Sequence, residues 1–544
     1  LTFYQPQAGE NRCLGRFFEK KWKKPNPTND LWVSTRRNGR GRFADRRWLM
    51  GSTVLFLVCF SMLGSASTSK IVRLSPQAAV KRALEHNLSL QIARLAPELS
   101  DAPRRAARAA FDPVVFGEVG TGGDLEASET RDENQTGTKS VSPALDVTAS
   151  VGIRKTFMTG TSLEVRFSGD LNRRWENGAP ATNGVTGAAA VTVRQPLLRG
   201  AGTKINRAAI QTARLERQKA TAMLHRKAEQ VAEKTLDAYW ALYAAQANLR
   251  VQKVGLAQAR KTLAETEALI AAGKVAAAEK VAAAYGVQVQ RRAVRAAQKE
   301  VGNSHDELAR ILGWLSAVSG KNVDLVLDAA PLNQAVQADV AELTAVALKR
   351  RGDHVALQRS LQVRRLASEV SSHLLLPKLD LTASVGVARL DRKLAITAET
   401  MESHTGSTQL AWSVGLMLEI PLGNRAAKAQ QDTAALAVRR AQLSIVQSAQ
   451  QITAEIKTAW RSVESSWDAL KLTRAAAELA ELKFENERDR FRAGKSTAQM
   501  LTLVQSDMLK ERLALQDALA KFNRALVALR AASGTLIVEL EQRA

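Results

Sequence analysis

The side chains best suited to chemistry are scattered in this chain. Its six histidines are His86, His225, His305, His354, His373 and His404. No two share the i, i+3 or i, i+4 spacing that aims a pair of imidazoles from one helix face at one metal. The only cysteines are Cys13 and Cys59, so thiol catalysis and disulfide scaffolding have no residues beyond position 59. No Gly-rich phosphate loop follows a strand, and no Gly-x-Ser-x-Gly nucleophile motif occurs. The pattern predicts no catalytic residue, no metal site, no cofactor and no enzyme. What does recur is a tripeptide, Ala272-Gly273-Lys274 and again Ala493-Gly494-Lys495. Glycine tolerates φ > 0 and ends helices. The lysine after it has two readings, attraction to an acidic partner or a cation at a helix C-terminus.

The elements that carry those tripeptides are long. Leu242, Leu249, Leu256, Leu263 and Ile270 lead into Gly273 seven residues apart, and Val287, Val294, Val301 and Leu308 lead out at the same spacing. Sustained heptads predict helices packed along a supercoiled seam. Adding 221 to each number gives Val463, Leu470, Ala477, Phe484 and Phe491, then Gly494, then Met508, Leu515, Phe522 and Leu529. One register around one turn, twice, predicts an internal duplication. Trp240, Trp460 and Trp467 fall within these helices and are read as packing residues. Alanine-rich composition with only 5% aromatics agrees with long helices rather than a thick globular core. The formal charge of +25 does not point to nucleic acid. Residues 1–49 carry twelve Lys/Arg against four Asp/Glu, and the remaining excess is spread along helices without a basic-aromatic cluster.

Residues 1–49 form a basic extension without helical or strand periodicity, read as a mis-called start or the n-region of a signal. Arg46-Arg47, the apolar run Trp48–Leu63 and Gly64-Ser65-Ala66 predict a signal peptide over 46–66. A first repeat then spans 67–320, with a helix over 75–112, strands over 113–196 and a helical hairpin over 204–315. A linker, 321–342, precedes a second repeat over 343–544, with a helix over 343–376, strands over 377–421 and a hairpin over 424–531. In the second repeat Leu379, Leu381, Ala383, Val385 and Val387 alternate with polar or small residues, as do Leu410, Trp412, Val414, Leu416, Leu418 and Ile420. Ten-residue segments with one apolar face suit a transmembrane β-strand, the rival being a soluble hairpin over a core. The first repeat has a polar loop at 121–140, another at 172–184, and between them an additional hairpin, Val147–Phe157 and Thr161–Leu171. The sequence leaves open whether it widens a barrel or stands outside it. So few strands cannot close alone, and an open edge in lipid is costly, so if these are membrane strands the chain must oligomerise.

The order of motifs now carries a resemblance: Ala83-Leu84-Glu85-His86-Asn87, strands, Gln195-Pro196-Leu197-Leu198-Arg199-Gly200-Ala201-Gly202, a long hairpin, then the unit again with Ile420-Pro421-Leu422-Gly423. Over residues 70–535 the chain resembles the TolC-like outer-membrane efflux proteins, the outer-membrane factors of tripartite exporters. The resemblance implies a mostly α fold with membrane β: a homotrimeric outer-membrane β-barrel, embedded in lipid and continued by a periplasmic α-helical barrel. It implies an exit duct for efflux or type I secretion, with a periplasmic adaptor protein and an inner-membrane transporter as partners. Gly273, Lys274, Gly494 and Lys495 would lie at adaptor-contacting tips, and Pro196 and Pro421 at strand-to-helix transitions. Many members carry two carboxylates past the second tip glycine. Here those positions are Met500 and Leu503, in the run from Gln499, with Glu279 at the matching offset in the first tip. The expectation is an apolar constriction weakly blocked by divalent cations. The plainer alternative is that Met500 packs between helices.

Two other functions use the same features. A soluble or cell-wall-spanning coiled-coil protein would need the heptads but neither the signal peptide nor the two-faced strands. A non-efflux porin would need the strands but not the tips.

Overall fold

The structure, a computed structural model, describes residues 70–131, 137–176, 179–314, 323–391 and 407–542. The readings of 1–49 and 46–66 lie outside these residues.

The chain enters through β1 (Lys70–Leu74) and three short helices, α1 (Pro76–His86), α2 (Leu88–Leu99) and α3 (Asp101–Ala109). The single helix expected over 75–112 is thus broken twice. Ser75 caps α1, its Oγ accepting from the Ala78 N–H at 3.2 Å. Asn87 then stops α1 and caps α2, its Oδ1 accepting from the Leu90 N–H while its Nδ2 donates to Ile311 O at 2.9 Å. Four strands follow: β2 (Val114–Arg131), β3 (Gly137–Thr156), β4 (Ser162–Glu176) and β5 (Ala179–Pro196). They run through most of the stretches expected as loops at 121–140 and 172–184. Alternation alone understates strands whose outer ends are polar on both faces.

A one-turn helix, α4 (Thr203–Asn206), leads into α5 (Ala208–Ala271), which returns as α6 (Glu279–Ile311). At 64 residues α5 is about 96 Å long. The expected linker over 321–342 contains a strand, β6 (Val323–Leu327), paired in parallel with β1 from Lys70↔Val323 to Leu74↔Leu327. Then come α7 (Val340–Arg350) and α8 (Gly352–His373), where one helix over 343–376 was expected. Strands β7 (Lys378–Asp391) and β8 (Ser407–Glu419) lead to α9 (Arg425–Arg492), α10 (Ala498–Ser533) and α11 (Leu536–Gln542).

Two sheets result. The six long strands form one antiparallel sheet in the order β2-β3-β4-β5-β7-β8, so the additional hairpin lies within it. Below the sheet, α5 is flanked by α1–α3 and by α8, and α8 in turn by α9. The helix order therefore follows the strand order, since α3 feeds β2, β5 feeds α5, α8 feeds β7 and β8 feeds α9.

The heptads of the second hairpin are its seam. Val463, Leu470, Ala477, Phe484 and Phe491 are all buried, and so are Met508, Phe522 and Leu529 opposite them. Ordering residues along such a seam is offset by removing apolar area from water. Trp467 lies 5.2 Å from Phe522, and Trp240 packs edge-on to Tyr239 at 5.3 Å. The first hairpin differs. Its α5 seam is made of small residues, Gly255, Ala259, Thr262 and Thr266, while Leu249 and Leu256 are only half-buried. A Cβ on Gly255 would meet Leu509 Cδ1 at 2.6 Å, and the Gln505 Nε2 donates to Gly255 O at 3.1 Å. Close approach of α10 shifts the register away from the leucines. The small β1–β6 sheet covers a separate core: Leu74 and Leu325 pack with Tyr239, Leu242, Leu308 and Leu312, and the Tyr239 hydroxyl donates to Leu74 O.

Candidate functional site: a two-faced sheet and paired helical tips

Register fixes which residues share a face of the large sheet. Val115 stands opposite Ile153, Ile153 opposite Val165, Val165 opposite Val191, Val191 opposite Val385, and Val385 opposite Trp412. One face is therefore apolar across all six strands. Its β8 residues Leu410, Trp412, Val414, Leu416 and Leu418 are 60–75% exposed. Among the described residues no other element covers those β8 side chains, and an apolar face of this extent suits contact with an apolar medium. No helix among the described residues is long and apolar enough to cross a membrane.

The opposite face is polar or small, with Ser150, Glu164, Arg166, Ser168, Thr192, Ser384 and Ser413 among its residues. Glu164 accepts from Arg154 at 2.7 Å and pairs with Arg166 at 3.0 Å. Both guanidiniums lie within about 5 Å of the Phe116 ring. That ring fills the space over its cross-strand neighbour Gly152, where a Cβ would meet Phe116 Cζ at 2.6 Å. Where the sheet meets the helices, Arg194 pairs with the buried Asp380, and Lys378 and Arg199 each reach Glu419 at 3.4 Å.

Pro196 ends β5, and Pro421 follows the end of β8. Pairing continues past the first, since the Leu197 N–H donates to Leu379 O at 2.7 Å. The Asn206 Nδ2 donates to Gly200 O and Gly202 O, and the Asn424 Nδ2 donates to Leu375 O.

At the far end of the helices the two turns are alike. Gly273 has φ 66° and Gly494 φ 71°. The Gly273 and Lys274 N–H groups donate to Ile270 O and Leu269 O, and the Gly494 and Lys495 N–H groups donate to Phe491 O and Arg490 O. This is the same Schellman closure twice. Lys274 and Lys495 are exposed. Glu279, expected at a pore constriction, also makes a local contact: its Oε2 accepts from the Ala498 N–H at 2.8 Å, so its carboxylate caps α10 across the two hairpins. Thr497 caps the same helix through Met500 N. Gln499, Met500 and Leu503 project from α10 and are exposed, Met500 at 43% and Leu503 at 56%. Within one chain, then, Met500 does not pack between helices.

A charged belt midway along the helices was not foreseen. The Arg351 side chain is 4% exposed and pairs with Asp353 at 2.6 Å and Glu455 at 2.5 Å. Burial lowers its pKa, but the two carboxylates outweigh that and the net shift is upward. Arg226 approaches Asp353 at 3.6 Å. Nearby, burial pushes Glu229 up to about 7, with Glu233 and Glu539 adding to the rise and the Ile537 N–H and Arg226 opposing it. The Arg-Arg-Gly-Asp run at 350–353 was the available signal, since a break in a helix rich in charge invites pairing.

Comparison with known proteins follows this geometry. Residues 343–535 match the family model described as outer membrane efflux protein. No curated protein matches by sequence. Among solved structures, the outer-membrane channel OprN is 18% identical over 84% of this chain and 89% of its own, with a TM-score of 0.59. The CmeC outer membrane channel of Campylobacter jejuni is 13% identical over 85% and 86%, at 0.58. The open state of the MtrE outer membrane channel of Neisseria gonorrhoeae is 15% identical over 84% and 88%, at 0.56. The match to that model lies in the second half of the chain, and the described residues share the fold of these outer-membrane channels.

Proposed function

We propose that three copies of this chain form the exit duct of a tripartite efflux or type I secretion system. The duct passes substrates from an inner-membrane transporter and a periplasmic adaptor to the outside. The observation that carries this reading is one apolar sheet face continuous over six strands, joined directly to helices about 100 Å long. Lipid takes the apolar face, the polar face lines the lumen, and the helices cross the periplasm. The tips at Gly273-Lys274 and Gly494-Lys495 meet the adaptor. Met500 and Leu503 narrow the pore as an apolar ring, with Glu279 reserved for capping α10.

The first test is the native mass of the protein extracted from outer membranes in detergent. Three copies per particle is the expected result, and a water-soluble dimer would refute the duct. Conductance across a planar bilayer then tests the ring: millimolar divalent cations should leave current nearly unchanged, and strong block would show carboxylates in the constriction after all. Deleting the two tips should abolish pump-dependent export, whereas a free-standing porin would keep its function without them.

A further inference from the structure

The additional β3–β4 hairpin is built into the wall. It pairs with β2 over the length of that strand and with β4's neighbour β5 from Ser162↔Arg194 onward. Its turn is tied to the strand-to-helix junction: the Gly202 N–H donates to Thr159 O at 3.1 Å, and the Thr161 hydroxyl donates to Gln195 Oε1. At Gly160, φ 94°, a Cβ would meet Gly200 O at 2.5 Å, so the turn sits directly on that junction.

Six strands per copy change the width of the outlet. With strands about 4.8 Å apart and tilted about 40°, six cover roughly 38 Å of a barrel's circumference and four only about 25 Å. The layer beneath, α1–α3, α5, α8 and α9, is four helices wide, or about 32–40 Å at the usual 8–10 Å spacing. The hairpin therefore matches the wall above to the tunnel below. No helix underlies β3 and β4, so widening the wall is what they add.

Both edges of the chain are also prepared for a second copy. Six antiparallel strands leave β2 and β8 running in opposite directions, so β8 of one copy can pair with β2 of the next in the same antiparallel pattern. Below β2, α2 exposes Leu88, Ile92, Leu95 and Leu99, and below β8, α9 exposes Leu436, Leu443 and Val446, all 53–71% exposed. Counted from the junctions at 113 and 424, the first stripe lies about 21–37 Å down and the second about 18–33 Å, at 1.5 Å per residue. The two stripes stand at one depth on opposite edges.

Building on the exit-duct reading, in which copies meet through these edges, we propose that the β3–β4 hairpin of every copy stands within the barrel wall. The outer-membrane wall is then an eighteen-stranded barrel, about 36 Å across between backbones, as wide as the helical tunnel it caps. Neither the pore nor its lumen face is complete without the neighbouring copies.

Cysteine cross-linking of the protein in outer membranes tests this, since Cys13 and Cys59 both precede the described residues. Paired variants join β2 (Val115→Cys or Val119→Cys) to β8 (Trp412→Cys or Leu416→Cys), and in a second set β2 to β5 (Val115→Cys with Val191→Cys). Oxidation of the first set should give covalent trimers. A link within one chain from β2 to β5 overturns the eighteen-strand wall, because the hairpin must then stand outside it, and leaves the duct reading intact. Failure of every pair together with a monomeric mass overturns both. Electron cryomicroscopy of the unaltered particle is the independent measurement. An outlet ring equal in diameter to the helical ring is expected, and one narrower by about a third contradicts the proposal.

Discussion

Gly352 is where two helices meet too closely for any side chain. It opens α8 against the flank of α5, and a Cβ there would stand 2.0 Å from Ala222 O, 2.9 Å from Arg226 N and 3.0 Å from Ala222 C. All three atoms are backbone, so no rotamer change relieves the overlap. Gly352→Ala must drive α8 away from α5 by more than 1 Å, on the order of the shortfall from van der Waals contact. Overpacking of this kind costs about 1–3 kcal/mol, and the backbone obstacle puts this case at about 3. The same displacement loosens the Arg226–Asp353 approach at 3.6 Å and the Arg226 hydrogen bond to Ala531 O at 3.2 Å. Gly302→Ala is the matched control: it lies within α6 with nothing within 4 Å of its Cβ. In a helix interior that exchange stabilises by up to about 1 kcal/mol. Thermal unfolding of the detergent-extracted particle, followed by circular dichroism, should show the two variants moving in opposite directions. A Gly352→Ala protein as stable as the parent, beside a Gly302→Ala protein that gains, would refute the close-packing argument.

Glu229 sets a pH dependence. A carboxyl whose folded pKa of about 7 lies above its ordinary 4.5 holds its proton more tightly when folded. The resulting destabilisation is absent below about pH 4.5, grows up to about pH 7 and is complete above it. Glu229→Gln should therefore stabilise the fold at pH 8, by on the order of 3 kcal/mol at most, and so raise the melting temperature there while leaving it unchanged at pH 4.5. Equal gains at both values would exclude titration as the cause. Arg351→Ala strands Glu455 and weakens the hold on Asp353, and because both carboxylates keep some solvent the loss should be about 2 kcal/mol. Arg351→Lys should recover less than half of it, since one ammonium cannot replace two guanidinium contacts, and full recovery in a denaturation series would show the pairing to be non-directional. Phe491→Ala removes a fully buried ring from the seam next to Gly494 and should cost about 3–5 kcal/mol. Hydrogen exchange should quicken in α9 and α10 near the tip while the sheet stays protected; uniform quickening would mean that the tip is not a separable unit.

How much of this was legible depended on whether a residue's partner lies nearby in sequence. The second hairpin could be read because Val463 through Phe491 face Met508 through Leu529 across a turn whose glycine announces itself. The first could be read only as a hairpin. Its true seam is fixed by α10, more than two hundred residues away, and Gly255 looks like poor core until Leu509 is placed against it. Asn87 is a visible stop and Pro103 suits the first turn of a new helix, whereas Pro97 lies inside α2, and the apolar periodicity of 75–112 runs on across both breaks. The strand β6 alternates plainly in Val323-Asp324-Leu325-Val326-Leu327, but a five-residue strand means little until β1 lies beside it. Glu279 shows the limit most clearly. Its offset from Gly273 matched a position occupied elsewhere by pore carboxylates, and offset is all that a sequence supplies. The atom that decides its role is the Ala498 N–H, which belongs to the other repeat. Duplication makes equivalent positions easy to pair on paper, whereas the fold pairs each repeat with the other. Arg351 with Glu455 and Asn87 with Ile311 tie distant segments of one repeat, Glu279 with Ala498 ties one repeat to the other, and repeat alignment reveals none of the three.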